Sequence, residues 1–188
     1  MSGYRMEDLM PFVFRGVLPW STYDSLRAVV YAGSPDMTVA TDGRVFAAVP
    51  GRLRWADAPA PGYPLAAVAG LLKEAEAAVR EARYAVRLEG LPAVRYGRQG
   101  RSSKFEPNDL CAYAQLDAVR FCAWEYSLPL LAKIARCLRD VRVFPGAPAA
   151  RGLLYFAFAG GGVGGLMPLV EGAGMVVHTI AAQGGHAV

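Results

Sequence analysis

Glycine occupies five of the six positions from 160 to 165, inside the stretch YFAFAGGGVGGLMPLV that covers residues 155–170. No other feature narrows the fold so much, because it sets a nearly free backbone between two apolar runs. Gly160, Gly162 and Gly165 match the spacing G-x-G-x-x-G, which raises three readings. A dinucleotide-binding loop needs a strand before it and a helix after it, so that the helix N-terminus meets the pyrophosphate. Here Pro168 and Gly172 interrupt any following helix, and the chain ends 23 residues after Gly165 with no acidic residue about 20 positions on. A membrane span is the second reading, since Gly152 to Val170 is uncharged. Six glycines and a proline in that stretch make a poor lone helix. The third reading is a tight turn between two buried strands, LLYFAFA and GLMPLV, with glycines supplying positive φ. That reading is preferred.

A second turn signal lies upstream. Asp42-Gly43 separates apolar runs in DMTVATDGRVFAAVPG, and Asp-Gly between such runs marks a β-hairpin. Strands are expected at about 26–32, 37–41 and 44–49. MEDLMPFVFRGV places Met6, Leu9, Met10 and Val13 on one helical face, although Pro11 disturbs it. ADAPAPGYP reads as a linker. A helix then runs from Pro64 to about Ala82 with Leu65, Val68, Leu72 and Val79 on one side. Short strands follow in YAVRLEG and AVRYG, and one or two more in CAYAQLDAVRFCAWE. SLPLLAKIARCL is a second helix, with Leu128, Leu131, Ile134, Ala135 and Leu138 inward and Lys133, Arg136 and Arg139 on another face. DVRVFPG, RGLLYFAFAG and GGLMPLV are strands, and residues 172–188 read as a loosely held tail. The pattern is a helix followed by a strand meander, coarsely repeated.

A composition of 54% hydrophobic and 19% charged residues is that of a globular chain, and the net charge of +4 permits an acidic partner without requiring one. The excess is local. VRYGRQGRSSKF carries Arg95, Arg98, Arg101 and Lys104 with no acid, interleaved with Tyr96 and Phe105. It reads either as a loop contacting a phosphate backbone or as a solvated basic loop. Three cysteines at no C-x-x-C spacing and no visible signal peptide point to reduced thiols in a cytoplasm. Two histidines, both in the tail, argue against a zinc site. No G-x-S-x-G, H-E-x-x-H or Ser-His-Asp set is present, so no catalytic residue and no cofactor is assigned. Glu74 and Glu76 do not face each other on a helix and read as solvated. Trp20, Trp55 and Trp124 read as core or rim packing.

LRAVVYAGSPDMTVATDGRVFAAVP resembles a segment of the bacterial sliding clamp, the beta subunit of the replicative DNA polymerase. In that family two apolar strands lead into A-T-D-G-H-R-L-A; here Ala40, Thr41, Asp42, Gly43 and Arg44 continue into VFAA. GGLMPLV is similar to the family's C-terminal strand, which ends V-M-P-M-R-L, and FCAWEYSLPLLAKIARCLRDVRVFP to its last helix and flanking strands. The resemblance covers most of residues 5–50 and 119–170. It implies an α+β, DNA-clamp-like fold, with helices packed on antiparallel sheets built from βαβββ half-domains. Residues 1–58 would form a first half-domain, 59–118 a middle half-domain or insertion, 119–171 the last half-domain, and 172–188 the tail. The implied function is non-enzymatic: a homo-oligomeric clamp-like protein of DNA replication or repair. It would hold double-stranded DNA without reading sequence, receive a polymerase or repair-protein peptide, or both. By matching positions, Thr41, Gly43, Arg44, Phe46, Leu166, Met167, Pro168 and Leu169 would line the peptide groove. Lys133, Arg136 and Arg139 would face DNA, with Arg95, Arg98, Arg101 and Lys104 as a further contact. A clamp subunit is about twice this length, and Arg44-Val45-Phe46 replaces its H-R-L. Two alternatives remain: an unrelated α+β interaction domain in which ATDG is only a hairpin, and a small enzyme using glycines 160–165 for a nucleotide.

Overall fold

A computed structural model describes residues 3–13, 29–31, 36–56, 65–82, 85–88, 91, 117–121, 124–145, 152–169 and 176–179. The chain opens with α1 (Met6–Leu9), which tightens into a 3-10 turn at Met10–Phe12. Proline at the second position of that turn favours this, since it has no N–H to place in an α-helical bond. The expected face of Met6, Leu9, Met10 and Val13 shifts accordingly. Met6, Leu9 and Phe12, spaced by three, are the buried residues, while Met10 and Val13 are partly buried. A strand meander follows: β1 (Val29–Tyr31), β2 (Met37–Thr41) and β3 (Val45–Pro50), each antiparallel to the next.

The second half repeats this order. After β5 (Asp117–Phe121) and β6 (Trp124–Ser127) comes α3 (Leu128–Cys137), then β7 (Arg142–Val143), β8 (Leu154–Phe158) and β9 (Gly162–Leu166). Ser127 caps α3 by accepting the Leu130 N–H, and Pro129 sits in its first turn. The middle of the chain supplies α2 (Leu65–Glu81) and β4 (Val86–Arg87).

One seven-stranded antiparallel sheet joins the two meanders in the order β1-β2-β3-β9-β8-β7-β4. The centre is the β3–β9 pair, with Val45 opposite Leu166 and Ala48 opposite Val163. An antiparallel pair has a local twofold axis normal to the sheet. That axis exchanges β3 with β9, β2 with β8 and β1 with β7. It also keeps each helix on its own side of the sheet, and α1 and α3 do share one side. Leu9, Phe12, Leu128, Leu131 and Ile134 belong to a single core with Val45, Phe156 and Leu166. The second unit, β6-α3-β7-β8-β9, is βαβββ; among the described residues no strand precedes α1 in the first.

The other side of the sheet is covered by α2. Val68, Leu72, Ala75 and Ala78 pack there on Met37, Val39, Phe46, Tyr155 and Val163. Two alanines join Val68 and Leu72 in the buried stripe, with the expected Val79 partly buried against it, and their small side chains let the helix lie close to the sheet. Burial from both sides explains why β3, β8 and β9 read as unbroken apolar runs, where a one-sided sheet would alternate. The fold is α+β. Among the described residues no helix is long and apolar enough to cross a membrane.

The glycine run splits into two uses. Gly160 and Gly161, both at φ 75°, turn the chain between β8 and β9, as expected. Gly162, Gly164 and Gly165 lie within β9, in extended backbone. A Cβ at Gly162 would meet the Phe158 ring, one at Gly164 the Phe156 ring, and one at Gly165 the Phe46 ring. Each of these phenylalanines is the cross-strand neighbour of its glycine. The missing side chains make room for aromatic rings lying across the strand.

Other expectations change. β9 is the central strand of the sheet and ends at Leu166, before Pro168, so the proline does not mark an edge. The tail contains β10 (Val176–Thr179), parallel to β5 in a three-stranded sheet of order β10-β5-β6. Of YAVRLEG, residues 85–88 are described and contain the two-residue β4, and the strand expected in AVRYG lies outside the described residues. Glu74 is not simply solvated: its Oε2 accepts the Tyr155 hydroxyl at 2.5 Å.

Candidate functional site

The Asp42-Gly43 turn is built by local side-chain bonds. Asp42 Oδ1 accepts the N–H groups of Arg44 and Val45 at 3.0 and 2.9 Å, and Thr41 Oγ1 accepts that of Gly43 at 3.1 Å while donating to the Val45 carbonyl at 2.9 Å. Gly43 has φ 84°, the conformation for which glycine is suited. Asp42 does more than turn the chain. It is buried, and its Oδ2 lies 3.6 Å from Lys133 Nζ on α3. The same ammonium sits 5.7 Å from the Phe12 ring centre. One lysine thus ties α3 to the hairpin and to the N-terminal segment.

Beyond β9 the chain leaves the large sheet and reaches the small one. Met167 N–H donates to the Arg44 carbonyl at 2.8 Å, and Leu169 N–H to the Glu125 carbonyl of β6 at 2.7 Å. Pro168, between them, has no N–H to satisfy. Met167 is 50% exposed, with Pro168 and Leu169 half-buried. Trp124, next in the chain to Glu125, is 47% exposed and lays its ring on Gly152. Gly152 has φ 68°, and its carbonyl accepts the Tyr126 hydroxyl at 2.6 Å, so the backbone under the indole is held in place. The result is an apolar lip of Trp124, Met167, Pro168 and Leu169 beside the Asp42-Gly43 turn.

The eight residues expected in one groove do not all meet. Thr41, Gly43, Arg44, Met167, Pro168 and Leu169 gather at this end of the β3–β9 pair. Phe46 and Leu166 do not join them. Phe46 is buried under α2, and Leu166 is fully buried on the opposite side of the sheet. The reason is the two-residue period of a strand: Val45 and Leu166 point to one face, Phe46 and Gly165 to the other. Trp124 was missed as a site residue. Hydrophobicity alone assigns a tryptophan to core or rim, and the alternation in Trp-Glu-Tyr-Ser sets it on the same face as the buried Tyr126. Trp55 is likewise exposed, at 67%, and Trp20 lies outside the described residues.

The three basic positions expected on one helix face also separate. Lys133 faces inward to Asp42. Arg136 is exposed on α3. Arg139 lies two residues past the helix end, where its guanidinium donates to the Gly3 carbonyl at 3.4 Å and stacks 5.0 Å from the Tyr4 ring centre. Arg95, Arg98, Arg101 and Lys104 lie outside the described residues. Among the described residues no cluster of three or more His, Cys, Asp or Glu could hold a metal ion. No family model matches this chain, and neither curated proteins nor solved structures give a match.

Proposed function

We propose that this chain is a non-enzymatic, clamp-like protein whose main retained function is to receive a short apolar peptide of a DNA-replication or repair partner at the Met167–Trp124 lip. The carrying observation is the junction of β3 and β9. It sets the Asp42-Gly43 turn beside an exposed methionine, although 125 positions separate Asp42 from Met167 in the sequence. The paired helix-and-meander units, with both helices on one side of the sheet, are the arrangement that the resemblance to clamp half-domains implies. Methionine is flexible and polarizable and adapts to varied apolar partners, while a tryptophan fixed on a glycine provides a rigid wall. Contact with duplex DNA falls first to Arg136, since Lys133 is engaged by Asp42 and Arg139 by the Gly3 carbonyl and the Tyr4 ring.

A second reading is an unrelated α+β interaction domain. It is favoured by α2, which covers the second side of the sheet, whereas the resemblance implies helices gathered around a central hole. Both readings place a partner at the same lip. Met167→Ala and Trp124→Ala should each weaken binding of a labelled peptide with two apolar anchors by about tenfold, measured by fluorescence anisotropy. The melting temperature should change little, because both side chains are half exposed. Unchanged affinity in both variants would remove the peptide site. A clamp-family peptide that binds no better than a scrambled apolar peptide would favour the unrelated domain.

A further inference from the structure

At the opposite end of β3 from the Asp42-Gly43 turn, residues 51–56 form a short loop, Gly-Arg-Leu-Arg-Trp-Ala. Trp55 adopts φ 71°, and it and Asp140 are the non-glycine residues with positive φ among those described. For a bulky side chain this conformation is strained, and strain of that kind persists only where the surroundings enforce it. Here they do. Thr38, fully buried on β2, donates its hydroxyl to the Gly51 carbonyl at 2.8 Å and accepts the Leu53 N–H at 2.9 Å. The Gly51 N–H donates to the Asp36 carbonyl at 2.6 Å, Ala56 N–H closes on the Leu53 carbonyl at 3.2 Å, and Leu53 packs into the core.

The rigid loop therefore holds an indole outward. Trp55 is 67% exposed, the most exposed of the large apolar side chains described. The Arg54 guanidinium lies 5.4 Å from its ring centre, covering one face and limiting its rotation. Arg52 and Arg54 are both exposed, and residues 51–56 carry no acidic side chain, with Asp57 next in the sequence. Neither core packing nor turn chemistry accounts for a strained, exposed tryptophan with one cation on its ring and a second three residues before it in the chain. A flat aromatic surface flanked by positive charge matches a nucleobase flanked by its phosphates.

We propose that Trp55 is a stacking platform for single-stranded nucleic acid, with Arg52 and Arg54 engaging the adjoining phosphates. The site is separate from the peptide lip and does not depend on it. Its recognition is indifferent to sequence, because every base presents a π-face.

The test uses the full chain and a fluorescein-labelled oligo-dT strand at low salt, with a duplex of equal length in parallel. The expected result is binding of the single strand, preferred over the duplex, with quenching of tryptophan emission. Trp55→Phe should retain most of the affinity, and Trp55→Gly should lower it roughly tenfold or more. Glycine relieves the positive φ, so Trp55→Gly should melt at the same or a higher temperature than the parent. Arg52→Glu with Arg54→Glu should weaken binding and flatten its salt dependence. The proposal is overturned if the parent binds no oligo-dT, or if Trp55→Gly binds it like the parent. Lost affinity with a lowered melting temperature would make Trp55 structural and also overturn it. So would tighter binding of poly-glutamate than of oligo-dT, which would assign the loop to an acidic protein.

Discussion

Gly162 shows how a residue with no side chain can specify packing. Its position in β9 is ordinary extended strand, so the requirement for glycine comes from the Phe158 ring above it and not from its backbone angles. Phe158 in turn meets Tyr4 edge-on at 5.3 Å between ring centres, so the space at Gly162 also seats the N-terminal segment. Gly162→Ala should therefore destabilise the protein by about 1–3 kcal/mol through overpacking. In a double-mutant cycle with Phe158→Leu the two effects should not add, because the smaller side chain removes the clash. Additive losses in urea unfolding would show that the glycine is needed for another reason. The contrast with Gly43, Gly160 and Gly161 is instructive, since those three sit at positive φ and are required by the turns themselves.

At the scale of elements, the Asp42–Lys133 ion pair joins the β2–β3 hairpin to α3. The carboxylate is almost wholly buried, while the lysine side chain is 26% exposed. Removing the cation leaves a buried carboxylate supported only by the N–H groups of Arg44 and Val45. Lys133→Met, which keeps the apolar stem over Phe12, should cost about 1–3 kcal/mol, less than a fully buried pair would because water reaches the lysine. Asp42→Asn should couple with it, since the amide removes the charge that the lysine answers. Thermal melts of the two single variants and the double variant would measure that coupling; independent effects would mean the pair holds nothing together. Arg80–Glu81, by contrast, is exposed on α2 and should matter little.

At the scale of the molecule, stability should be graded across the large sheet. β3, β8 and β9 are paired on both edges and covered on both sides, whereas β1 and β4 are its short outer strands. Native-state amide exchange should be slowest in the three central strands and fastest in β1 and β4, with α2 intermediate because it packs on one side only. Equal protection throughout would mean that the sheet opens only by global unfolding. The grading bears on both candidate sites. The Met167–Trp124 lip and the Trp55 loop grow from opposite ends of the most protected strands, so each is mounted on a rigid base, which lowers the ordering cost of binding.

Local chemistry made much of this legible in the sequence. Asp-Gly needs positive φ and gave the β2–β3 turn; the 3.6-residue period gave α3 and the inward face of Leu128, Leu131 and Ile134. Those signals act over a few residues, and so they survive without knowledge of the rest of the chain. Tertiary contacts decided the remainder. That Phe46 and Leu166 take opposite faces depends on the register of β3 against β9, set by residues more than a hundred positions apart. That Gly162, Gly164 and Gly165 serve rings instead of turns depends on which strands flank β9. Lys133 faces inward because a buried carboxylate awaits it, which no helical period encodes. Trp55 and Trp124 are exposed because nearby backbone, pinned by Thr38 and by Tyr126, holds them there, and hydrophobicity alone left both between core and rim.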